Sequence, residues 1–165
     1  MTAKSKWVFF ILFISLSSFT QEPPRVSVDD FSPAFGKWKG SLTYLDYSSG
    51  KPYTLAARVT LVPLKSEVIF AYEYPNEPKA NGNDTLKITN QGMMLDQATV
   101  KSKRPVGEGK LEIVTESNGV DGNEKREALI KHTFTISRDF LSFRKDIKFT
   151  GENGWIKRNE YSFAR

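Results

Sequence analysis

"FGKWKGSLTY", residues 35–44, is the stretch where the periodicity of the chain changes. Upstream, Phe31, Ala34 and Phe35 fall at i, i+3 and i+4. Ser27 and Asp30 stand three apart in the manner of a capping box, so "SVDDFSPAF" predicts a short helical turn ended by Gly36. On this reading Asp29 and Asp30 are helix-start residues rather than catalytic carboxylates. From Trp38 onward the period becomes two, the signature of a strand with one buried face.

Working outward from Trp38, nine strand-like runs follow, at 38–47, 53–63, 67–74, 84–89, 93–100, 110–117, 126–136, 140–149 and 155–164. Turn chemistry separates most of them: "SSGKP", "PNEPKANGN", "NQG", "RPVGEG", "NGVDGN" and "TGENG" supply the Gly and Asn that tight hairpins need. No segment between the runs has room for a crossover helix, so successive strands pair antiparallel. A long meander has two edges to hide, and closure removes both. The expectation is an all-β, antiparallel up-and-down meander of about 8–10 strands closed into a barrel, with a short N-terminal helical turn. Alternation also assigns faces. Ala128, Ile130, His132, Phe134 and Ile136 oppose Lys131, Thr133 and Thr135, and Leu141, Phe143, Lys145, Ile147 and Phe149 oppose Ser142, Arg144, Asp146 and Lys148.

The chain carries 24 Lys and Arg against 19 Asp and Glu, with one His and no Cys. Lys4 and Lys6 precede the apolar run "WVFFILFISL" and then small residues at Ser17, Ser18 and Thr20, which reads as a secretory signal peptide over residues 1–21. The run is shorter than the roughly 20 residues of a spanning helix, and no Cys follows it to be acylated. A secreted or periplasmic location follows, with no integral span once the signal is removed. Residues 22–35 form a leader and capping helix, and 36–165 a single barrel domain. Loss of Lys4 and Lys6 lowers the formal charge from +5 to +3, a balance that calls for no nucleic-acid partner. "KSKR" at 101–104 reads as a solvated turn before Pro105.

Gly36-Lys37-Trp38, opening the first strand after a helical turn, resembles the lipocalin and wider calycin superfamily of β-barrels. The resemblance implies that Trp38 packs across the closed base of the barrel. It also implies an Arg cover from the last strand, either Arg158 or Arg165. A guanidinium stacked on indole gains about 1 kcal/mol.

By parity, Tyr44, Tyr72, Tyr74, His132, Lys145, Asn159 and Tyr161 form a polar-aromatic lining suited to a small apolar or amphipathic ligand. His132 is a polar anchor, with haem ligation the alternative; otherwise no cofactor or metal is implied, since one His without Cys makes no metal set. Lys145 either holds a ligand carboxylate or sits at the barrel mouth with its head in water. No Gly-x-Ser-x-Gly, phosphate-cradling loop or His-Glu-x-x-His is present. The leading expectation is an exported carrier barrel. The alternatives are a filled barrel serving as a cell-envelope interaction module, a small barrel enzyme dependent on His132 or Lys145, and an outer-membrane barrel.

Overall fold

The computed structural model describes residues 22–165, so the signal peptide expected at 1–21 lies outside the described residues. Ten strands follow one 3-10 turn, Val28–Ala34. They are β1 (Gly36–Asp46), β2 (Lys51–Pro63), β3 (Glu67–Glu73), β4 (Gly82–Thr89), β5 (Met94–Leu95), β6 (Ala98–Pro105), β7 (Leu111–Asp121), β8 (Arg126–Ile136), β9 (Phe140–Phe149) and β10 (Ile156–Ala164). Each pairs antiparallel with its neighbours in sequence, and β10 pairs with β1 to close the barrel. The seam runs from Lys39 opposite Ala164 to Tyr44 opposite Asn159. A Cβ at Gly40 would fall on the Ser162 carbonyl oxygen, so only glycine admits this close approach of β1 to β10.

The expected helical turn forms as a 3-10 segment, tied at its start by the Ser27 backbone N–H donating to the Asp30 carboxylate at 2.7 Å. Phe31 and Ala34 are fully buried beneath it. Inward positions of the strands build the core: Val59, Leu61, Val68, Ile113, Ile136 and Leu141 are almost completely shielded from water. Outward positions of the strands carry charged residues such as Arg58, Arg144 and Lys148. Among the described residues no helix is long and apolar enough to cross a membrane.

Two sequence expectations are corrected. The run at 93–100 is not one strand: the chain turns at Asp96-Gln97, with Asp96 in the left-handed region at φ 53°, and splits into β5 and β6. The turn is pinned by a pair of bonds, Asp96 N–H to the Lys87 carbonyl at 2.7 Å and Lys87 N–H to the Asp96 carboxylate at 2.9 Å. In consequence "KSKR" is not a loop but part of β6. Its Lys103 reaches Asp30 at 2.7 Å, strapping the helical turn to the wall, and its Arg104 pairs with Glu112 across β7 at 2.8 Å.

The outward side of β9 also departs from a simple solvated face. Asp146 is buried there, because Arg144 donates two bonds to its Oδ1 at 2.9 and 2.7 Å and Lys131 lies 3.8 Å away. Trp155 lies over the Lys131 ammonium at 4.1 Å.

The two-residue β5 leaves the wall incomplete. On its far side from β3, β4 is paired only at Ile88 and Thr89, and β7 pairs with β6 only up to Glu116. Gly82–Leu86 of β4 and Ser117–Asp121 of β7 therefore have no strand between them. A side gap results, towards the end of the barrel opposite Trp38.

Candidate functional site

The closed end is built around Trp38, which is 2% exposed. Its indole N–H donates to the Ala34 carbonyl at 2.7 Å, joining the first strand to the helical turn. The Arg165 guanidinium lies 4.2 Å from the ring and bonds the carbonyls of Phe35 and Arg138. The cover is therefore Arg165. Arg158, the other candidate, is corrected: the β1–β10 register places it beyond Asn159, at the opposite end of the barrel, where it sits at a bulge, stacks on Tyr47 at 4.4 Å and bonds the Leu45 carbonyl.

At that opposite end Asp121 gathers a polar plug. Its carboxylate accepts from Lys145 Nζ, from the Tyr47 hydroxyl at 2.8 Å and from the Gly122 N–H at 2.7 Å, with Arg158 Nε 3.2 Å away. Burial pushes the Asp121 carboxyl up, but the bonds from Lys145, Tyr47 and Gly122 outweigh it and hold it below the ordinary carboxylate range. Burial, with the neighbouring Asp121 charge, pushes the Tyr47 hydroxyl up to about 12.

Between plug and base lies a cavity of about 450 Å³. Its floor is aromatic: Phe143 meets Phe70 edge-on at 5.0 Å and Phe134 at 5.7 Å, and Phe134 rests on Phe31 of the helical turn. Its walls bring together Tyr72, His132, Lys145, Asn159 and Tyr161, all expected from parity. Tyr72 and Tyr161 stack at 4.9 Å, and burial raises both phenols well above their usual range.

Two expected residues lie elsewhere. Tyr74 is buried in the core, stacked on Tyr72 with its hydroxyl 2.6 Å from that of Tyr161, and Tyr44 lies tilted against Tyr53 at 5.6 Å. Asp84, Leu86, Asp96 and Gln97 also line the cavity and were not singled out in the sequence. Asp84 and Leu86 share the inward parity of β4, and that alternation was the available signal. Asp96 and Gln97 enter only because of the unforeseen hairpin.

His132 sits opposite Lys145 in the β8–β9 ladder. Burial, and then the Lys145 charge, push its pKa below 6.5, although the Asp96 charge works the other way. The imidazole is therefore expected to stay neutral at pH 7, with its ring protons titrating below 6.5 when followed by NMR. Because the folded pKa lies below the unfolded one, stability from neutral His132 is present above 6.5 and lost as pH falls through the folded value. A midpoint above 6.5 would contradict this placement.

A closed ten-stranded antiparallel meander plugged by a Trp beneath an Arg has the shape of a calycin-like barrel. No protein-family model matches the chain, and no curated protein matches its sequence. Among solved structures it is similar to that described as the crystal structure of Rv2717c from M. tuberculosis. The TM-score is 0.53 at 12% identity, covering 84% of this chain and 96% of that one. At that identity the likeness is one of fold.

Proposed function

We propose that this chain is an exported, lipocalin-like carrier that holds one small apolar or amphipathic molecule inside its barrel. The observation that carries this reading is the cavity of about 450 Å³ above an aromatic floor, in a barrel whose base is otherwise solidly filled. A concave space of this size, open at the side gap and lined by His132 and two stacked tyrosines, supports a ligand. Burial of ligand surface on Phe70, Phe134 and Phe143 supplies the affinity, at about 25 cal/mol per Å². His132, Asn159 and the Tyr161 hydroxyl orient the bound molecule, and no chemical step is required.

Native mass spectrometry of the full-length chain, expressed in and gently purified from cells, tests this. The expected spectrum shows a mature mass lacking residues 1–21 plus a defined extra mass that is lost on denaturation. A clean apo mass that takes up no small apolar molecule would overturn the carrier reading in favour of a filled-barrel module. Retention of the N-terminal residues would overturn export by signal cleavage.

A further inference from the structure

We propose that the cavity's occupant is a cationic amphiphile, an apolar body bearing an ammonium or amidinium group, with the cation seated at Asp84 in the gap between β4 and β7. This rests on the carrier reading above and adds the chemical class of the ligand.

The charges around the cavity point to it. Four charged residues line the space: Asp84, Asp96, Arg144 and Lys145. The Lys145 ammonium bonds the Asp121 carboxylate, which it shares with Arg158 of the plug, and the Arg144 guanidinium is turned to the outer face, onto Asp146. Neither cation is free to receive a ligand carboxylate without breaking an existing pair. Burial and the Lys145 charge disfavour protonated His132, so it adds no positive charge at neutral pH. Asp96 spends part of its hydrogen-bonding capacity on the Lys87 N–H. Asp84 takes part in no ion pair among the described residues. At the rim, the charge left without an ion-pair partner is therefore the negative one of Asp84.

Position and surroundings agree with the sign. Asp84 stands opposite Phe70 in the β3–β4 ladder, so its side chain shares the inward face, yet it remains exposed because β5 is too short to cover that stretch of β4. Its charge contributes to the raised pKa values of both Tyr72 and Tyr161. A carboxylate at the rim beside two stacked, electron-rich phenol rings is the chemistry that holds an ammonium group, by charge and by cation–π attraction. The apolar body then reaches inward to Phe70, Phe134 and Phe143. An anionic amphiphile meets Asp84 and Asp96 at the same gap and is repelled.

Isothermal titration of the full-length chain at low ionic strength, with three probes sharing one ring system, tests the proposal. The probes are 1-naphthylmethylamine, 1-naphthalenemethanol and 1-naphthaleneacetate. The amine is expected to bind about tenfold more tightly than the alcohol, and the acid most weakly. Asp84→Asn is expected to remove the amine's advantage while leaving the alcohol's affinity unchanged, which also reports that the barrel is intact. Asp84→Glu is expected to retain the preference. If the alcohol binds and the amine binds no better, or if the advantage survives Asp84→Asn, the cation assignment is overturned and the carrier reading stands. If none of the three probes binds, the carrier reading falls and the assignment falls with it.

Discussion

Trp38→Ala is expected to destabilise the barrel by about 3–5 kcal/mol, the largest loss of any single change considered for this chain. Three things disappear together. The indole is almost completely buried at the base, so truncation opens a cavity that the surrounding strands, fixed by their ladders, cannot collapse to fill. The Ala34 carbonyl loses its 2.7 Å bond from the indole N–H and is left unpaired in a dry site. The Arg165 guanidinium loses the ring beneath it. Arg165→Ala removes the cover and its exposed bonds to the Phe35 and Arg138 carbonyls but leaves the indole in place, and is expected to cost about 1 kcal/mol. Urea unfolding of both variants measures the difference, read as midpoint shifts at unchanged slope. A Trp38→Ala loss no greater than that of Arg165→Ala would show that the indole is not what closes the base.

Asp121→Asn is expected to cost about 2 kcal/mol, below the 3–5 kcal/mol typical of breaking a fully buried pair, because water still reaches the partners. The Asp121 side chain is 7% exposed, whereas Lys145 and Arg158 are each 24% exposed. With the carboxylate gone, two cations and the Tyr47 hydroxyl lose their shared partner and the cations repel one another. The change also has a pH signature. The folded pKa of Asp121 lies below its ordinary value of 3.8, so its stabilisation is complete above that value and is lost as pH falls through the folded pKa. His132 contributes a separate loss beginning below 6.5. Asp121→Asn should therefore flatten the stability profile below pH 3.8 and leave the step below 6.5 in place, which thermal unfolding across pH resolves. An unaltered acid limb would show that Asp121 does not hold the plug together.

Both residues illustrate how far the chain could be read without its fold. Trp38 was legible because a change of period and a preceding helical turn mark the first strand, and the resemblance of Gly36-Lys37-Trp38 to the calycin pattern implies a plug there. Asp121 was not. It lies in "NGVDGN", whose Gly and Asn read as turn, yet β7 continues to Asp121 and its inward parity descends from Thr115, Ser117 and Gly119. Asp84 shares the inward parity of its run, but that parity does not reveal that the neighbouring strand stops short and leaves its carboxylate uncovered.

The amino-acid sequence alone determined the all-β class, the antiparallel order and the face on which each long strand's side chains lie, since all three follow from local periodicity and turn chemistry. It placed Tyr72, His132, Lys145, Asn159 and Tyr161 indoors for the same reason. Only the tertiary structure decided which Arg covers Trp38, because the β1–β10 register sets Arg165 beside the base and Arg158 beyond Asn159, at the other end. It alone decided that Lys145 is already paired and that Asp84 stands uncovered. Those outcomes depend on which side chains meet across the barrel and on where one short strand stops, and neither is a property of any local stretch of chain.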